Sequence, residues 1–287
     1  MSDLLKLRKS FHDRLCNNVF AIETRSDGLK YPNFADPTKT ASVKIAWHIV
    51  DLLGHSLQDG TARAKSTSKR FVEITRDFLQ ESCDLLQHLS PGAWRLSTGV
   101  PISEFDQYEH LAVLERLVEN SDELASALGK EYIITPDIVV ARYPVTDQEI
   151  NTTASLLASE DPVATYTPLR KANNPKAICL LHASISCKWT LRSDRGQNAR
   201  TEALNLVRHR KGHLPHVVAV TAEPLPTRIA SLALGTGDLD CVYHFALPEL
   251  KNALIESENE DQMDMLETLI SGRRLRDISD LPFDLAI

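Results

Sequence analysis

From residue 132 to residue 245 the chain alternates between short runs rich in Ile and Val and stretches with helical spacing. That alternation confines it to a sheet with helices packed on it. Residues 132–143 read as a first strand and 147–159 as a return to helix. Residues 177–190 read as a second strand, followed by a helix from Asp194 to His209. Residues 216–221 read as a third strand, 240–245 as a short fourth, and 247–257 and 260–272 as helices. The first 130 residues have a different texture. Apolar spacing predicts helices over 2–16 (Leu4, Leu7, Phe11, Leu15), 42–58 (Ile45, Ile49, Leu52, Leu53), 66–89 (Phe71, Ile74, Phe78, Leu79) and 107–128, the last closed by Gly129. Polar residues 22–40, with Pro32 and Pro37, read as a loop. No internal repeat is visible. The expectation is a single domain over 1–287, with a mainly helical part (1–130) and a sheet-bearing part (131–287). Its fold class is α/β, a central mixed β-sheet flanked by helices on both faces.

Composition narrows the function classes. The chain has no apolar run long enough to span a bilayer, so no membrane partner is expected. Charges are scattered through MSDLLKLRKSFHDRL, unlike a secretory leader. Cys16, Cys83, Cys179, Cys187 and Cys241 are odd in number and far apart, which suits reduced thiols in a cytoplasmic protein. Residues 235–238, GTGD, lack the lysine of a phosphate-binding loop, so no nucleotide cofactor is expected. The formal net charge is −7, which at first sight argues against nucleic acid. Binding depends on the local field, however. Between Lys188 and Lys211 stand Arg192, Arg195, Arg200, Arg208 and Arg210, against only Asp194 and Glu202. Such a run also suits a solvated helix face.

Three residues could carry chemistry. Asp137 stands in the apolar run ITPDIVV, where an acid is unfavourable unless it has a task or caps a turn. In the second strand Leu181, Ala183, Ile185, Cys187 and Trp189 alternate with His182, Ser184, Ser186 and Lys188. Glu202 lies on the helix that follows, on one face with Arg195, Asn198 and Asn205. Two carboxylates and a lysine meet the needs of phosphodiester hydrolysis, which requires acids to hold a hard cation and a group beside the attacking water. The segment Arg192-Ser193-Asp194-Arg195 opens that helix. Arginine pairs with guanine and aspartate accepts from cytosine in the major groove, so it suits a reader of G·C pairs. It also suits an ordinary Asp N-cap with surface arginines.

With ITPDIVV, SCKWTLRSDR and the closing RRLRDISDLPFDLAI in this order, the chain resembles the PD-(D/E)XK restriction endonucleases of the CCGG-reading group. The resemblance runs over nearly the whole length and weakens in the N-terminal helices. It implies a restriction-endonuclease-like fold and Mg²⁺-dependent cleavage of double-stranded DNA, with two Mg²⁺ in each active site. It implies Asp137, Ser186, Lys188 and Glu202 as catalytic residues, and metal ligands from Asp137, the Cys187 backbone carbonyl and Glu202. Arg192, Asp194 and Arg195 would read the inner CCGG, with Asp36 and Arg228 at the outer pair. The implied site is then GCCGGC, cut after the first G. A further metal-site glutamate of the group follows a phenylalanine directly. Here Phe71 is followed by Val72, and the acid is Glu73. One residue turns a side chain about 100° around a helix. A palindromic site implies twofold symmetry, and the resemblance implies a homotetramer, a dimer of dimers. Two other classes share part of this set. A DNA-binding protein without cleavage would need the RSDR segment and not the Asp137–Lys188–Glu202 trio. A related-fold repair nuclease would need the trio and not the segment.

Overall fold

The computed structural model describes residues 1–60, 64–128, 134–158, 160–191, 193–235 and 237–287, and leaves undescribed the side chains of 64–66, 125, 127, 128 and 193–197. Among the described residues the chain runs α1 (Asp3–Asn18), β1 (Ile22–Thr24), β2 (Lys30–Pro32), α2 (Thr40–Leu53), α3 (Ala64–Leu85), β3 (Trp94–Ser97), α4 (Glu109–Glu119) and α5 (Asp122–Leu128). It continues β4 (Ile138–Arg142), α6 (Asp147–Ile150), β5 (Leu180–Lys188), α7 (Ser193–His209), β6 (His216–Thr221), α8 (Pro226–Ala233) and β7 (Cys241–His244). It closes with α9 (Leu247–Ser257), α10 (Glu260–Ser271), β8 (Leu275–Asp277) and α11 (Leu281–Asp284).

Six strands form one mixed sheet in the order β3-β4-β5-β6-β7-β8. The β3/β4 and β4/β5 pairs are antiparallel, and β5/β6, β6/β7 and β7/β8 are parallel. The expected α/β class with a central mixed sheet is the observed one. Val217–Thr221 and Cys241–His244 are buried at every position, as strands covered on both faces must be. Edge strands β3 and β8 are four and three residues long, too short to show a period-2 pattern. β3 reaches the sheet from within the first 130 residues.

The helical reading of 147–159 holds only for α6, four residues long. A capping box between Thr146 and Glu149 starts that helix. The Asn151 side chain then accepts the Leu156 and Leu157 amides, both at 2.9 Å, and turns the chain away. Residues 22–40 were expected as loop and contain the β1/β2 hairpin, with Ile22 opposite Pro32. The stretch 107–128 breaks near Ser121 into α4 and α5, and Gly129 lies outside the described residues. All five cysteines are unpaired, and no described helix is long and apolar enough to cross a membrane.

A buried ion network ties α1 to the far edge of the sheet. The Arg8 guanidinium, 12% exposed, donates to both oxygens of Glu249 at 2.8 and 2.6 Å and to both of Asp277 at 2.9 Å. Asp277 also accepts from the Leu247 and Ser279 amides, at 3.0 Å each. Arg8→Ala would leave two desolvated carboxylates unpaired, so it should cost about 3–5 kcal/mol, read as a lower urea midpoint.

Burial brings the His182 and His244 imidazoles down to about 4 and lowers His12 as well. Below the ordinary histidine value of 6.5 the unfolded chain binds protons that the folded chain does not, so stability falls from about pH 6.5 towards 4. Glu223 acts in the opposite sense: burial pushes its carboxyl up to about 7, so its contribution grows as pH falls. The two imidazoles brought down to about 4, with His12 and His110 shifted the same way, outweigh Glu223 and the smaller upward shifts of Glu202, Asp106 and Asp280. Thermal unfolding should therefore occur at a lower temperature at pH 5 than at pH 7.5; an equal or higher one would contradict the neutral burial of these imidazoles.

Candidate active site

The trio meets at one end of the sheet. Asp137 follows Pro136 and stands just before β4. β4 runs antiparallel to β5 with Ile138 opposite Ile185, so the start of β4 lies beside the end of β5. Asp137 Oδ2 accepts the Cys187 amide at 2.7 Å and lies 3.5 Å from Lys188 Nζ. Lys188 Nζ in turn lies 3.9 Å from Glu202 Oε2. Glu202 comes from α7, which buries Ala199, Ala203 and Leu206 against the sheet. Burial raises the Glu202 carboxyl, Lys188 opposes that rise, and the nearby Asp137 charge adds to it. The Ser186 hydroxyl is buried and makes no hydrogen bond of ordinary length, although it lies towards Glu202 and draws that carboxyl down. Burial pushes the Cys187 thiol well above its usual value, so the sulfur stays protonated and is no nucleophile.

An open cleft of about 390 Å³ adjoins this cluster and is lined by Asp137, Cys187, Thr98, Gly99, Lys69 and Glu73. Glu73, the displaced acid, thus faces the same cleft, and its carboxylate also lies 3.8 Å from Lys69. Among the described residues no three His, Cys, Asp or Glu side chains cluster closely enough to hold a metal. A cation in the cleft would therefore draw on backbone and hydroxyl oxygens beside the carboxylates. The donors at hand are carboxylate, hydroxyl and carbonyl oxygens, which suit a hard divalent ion, and the unsatisfied Ser186 hydroxyl is in keeping with a missing partner.

Trp189, directly after Lys188, is plugged into rings from the N-terminal part. Its centroid lies 5.1 Å from Phe20, 5.3 Å from Phe71 and 6.1 Å from Phe34. The helix that presents Glu73 to the cleft is thereby packed on the strand end that presents Lys188. Trp189→Ala should cost about 3–5 kcal/mol in unfolding free energy, measured by denaturant titration.

Of the expected base readers, Arg192 lies outside the described residues, as do the side chains of Asp194 and Arg195. Asp36 and Arg228 are described, and they meet: Arg228 Nη2 donates to Asp36 Oδ2 across 192 positions of sequence. Burial would raise the Asp36 carboxyl, but the Thr38 hydroxyl and amide and the Arg228 guanidinium outweigh it and bring it to about 2. Sequence reading passed over Glu223 and Thr221. Thr221 Oγ1 donates to the Lys188 carbonyl at 2.7 Å, and Glu223 Oε2 accepts the Leu191 amide at 2.9 Å. The available signal was an acid set between the apolar strand VVAV and the helix-starting Pro226.

The NgoMIV restriction enzyme family matches residues 11–287 of this chain. The chain belongs to that family. It is also 46% identical over 286 residues to the type II restriction enzyme NgoMIV of Neisseria gonorrhoeae, a match that covers 98% of this chain and 97% of that protein. Membership of this family and the trio at the sheet end bear on the same chemistry, since enzymes of this kind hydrolyse phosphodiesters in DNA.

Proposed function

We propose that this chain, a type II site-specific deoxyribonuclease by its family, cuts both strands of duplex GCCGGC after the first G in a Mg²⁺-dependent reaction. The observation that carries the reading is the convergence of Asp137, Lys188 and Glu202 at the ends of β4 and β5 and on α7, beside an open cleft. Asp137, Glu202 and the Cys187 carbonyl would hold the cation, with Glu73 on the far wall of the cleft. A divalent ion in that position supplies Lewis-acid stabilisation of charge on the phosphate and lowers the pKa of water bound to it. Lys188 places a positive charge beside the attacking water and orients it. The Cys187 amide fixes the Asp137 carboxylate so that one oxygen faces Lys188. Ser186 has a hydroxyl to spare for Glu202 or for water.

Arg228 and Asp36 set a donor fork beside an acceptor. That combination matches the two partners of one G·C pair: arginine to guanine N7 and O6, aspartate to the cytosine amino group. Arg192, Asp194 and Arg195 would read the inner CCGG. A palindrome read this way requires two chains related by a twofold axis, and the fuller assembly is a dimer of dimers on two DNA copies.

Digestion of an unmethylated plasmid of known sequence with Mg²⁺ tests this directly. Fragment ends should fall at GCCGGC after the first G; ends at another CCGG-containing site would reassign Asp36 and Arg228. Lys188→Ala should slow cleavage by about 10²–10⁴-fold while keeping specific binding in a gel-shift assay. Near-normal cutting by that variant would remove Lys188 from the chemistry.

A further inference from the structure

Glu223 stands two residues beyond β6 and is 1% exposed. It is outside the catalytic trio, yet a carboxylate so deeply buried is costly unless each oxygen has a partner. Its partners are specific. Oε2 accepts the Leu191 amide at 2.9 Å, Oε1 accepts the Leu225 amide at 3.3 Å, and Arg228 Nη1 lies 3.8 Å from Oε2. The Glu223 amide donates to Thr221 Oγ1 at 3.2 Å, and that hydroxyl donates to the Lys188 carbonyl at 2.7 Å. Leu191 is the residue before Arg192, and Leu225 opens the helix that carries Arg228. One side chain therefore touches the turn into α7, the start of α8 and the Arg228 guanidinium, and its own backbone is tied to the end of the strand bearing Lys188.

We infer that Glu223 is a positioning residue for base reading, a buried carboxylate that holds Arg228 and the Leu191 end of the turn into α7 in one register. The inference rests on the reading of Arg228 at the outer base pair. Arg228 is gripped from two sides: Asp36 takes Nη2, and Glu223 faces Nη1. When Asp36 turns to a cytosine, Glu223 remains to orient the guanidinium, so the fork meets guanine already aimed. Ionised, above its value of about 7, the group can accept from both amides and attract Arg228 at once, so the test is run at pH 8.5. Glutamine of the same shape offers one accepting oxygen and turns an NH₂ towards a donor.

The test uses the full chain with Mg²⁺ and compares kcat/KM on a GCCGGC duplex with kcat/KM on the same duplex carrying A·T at both outer pairs. Arg228→Ala, Glu223→Gln and the double variant are measured together. In Glu223→Gln the ratio of the two kcat/KM values should fall at least tenfold, and the double variant should lose no more than Arg228→Ala alone, because the two residues act as one unit. A merely structural Glu223 would lower both rates together and leave the ratio intact, which would overturn the inference. Independent, additive losses in the double variant would also overturn it. An intact ratio in Arg228→Ala would overturn the reading of Arg228, and the inference with it. A collapsed ratio in Arg228→Ala beside an intact one in Glu223→Gln would overturn the inference alone. Should Glu223→Gln not fold, Glu223→Asp keeps the charge and draws the carboxylate back by one methylene, and the same ratio decides.

Discussion

Strand β5 is paired antiparallel on one side and parallel on the other, and the meeting of Asp137, Lys188 and Thr221 follows from that change of direction. An antiparallel neighbour brings its beginning to the end of β5; a parallel neighbour brings its own end there. Asp137 precedes β4, Lys188 ends β5, and Thr221 ends β6 opposite Lys188. Three chain segments far apart in sequence thus arrive at one rim of the sheet. The helix that leaves β5 begins at the same rim and carries Glu202 back over it. In open α/β sheets such rims are where ligands bind, because the loops there are free to vary while the strands stay fixed.

The rim is held from behind by packing. Trp189 is the last large side chain before the turn into α7, and its ring is enclosed by Phe20, Phe34 and Phe71. Those rings come from the part of the chain that supplies Asp36 and Glu73. The helical part and the sheet-bearing part therefore share a single core, and the geometry of the cleft between α3 and β5 is set by ring contacts. Arg8 does the corresponding work at the other edge, where its fork joins α1 to α9 and β8. An ion network of that kind contributes little beyond what apolar side chains would, but it fits only one arrangement of the helices.

Electrostatics reconcile an acidic chain with a polyanionic substrate. The charge of −7 is an average over the molecule. Lys188 and Arg228 are each held between two carboxylates, Lys188 by Asp137 and Glu202 and Arg228 by Asp36 and Glu223. Such pairing keeps side chains aligned and weakens their pull on arbitrary phosphates.

The strands β4 to β7 were legible from the sequence, because short apolar runs rich in β-branched residues are a local signal. Asp137, Lys188 and Glu202 stood out as candidates, because Asp137 interrupts an apolar run and the order of motifs resembles a known family. The edge strands β3 and β8 and the hairpin β1/β2 were not, since three or four residues become a strand only when a partner far along the chain supplies the ladder. The failed helix at 147–159 has the same lesson in reverse: its apolar spacing was real, but the Asn151 side chain captured two amides and ended it after one turn. Residue types and their order by themselves determined the α/β class, the chemistry at hand and the family. Only the tertiary structure decided that Asp36 meets Arg228, that Glu73 faces the cleft of Asp137 and that Glu223 joins the Leu191 turn to the start of α8. Those contacts depend on distances between elements, and such distances are set by packing a whole core, which no local stretch of sequence encodes.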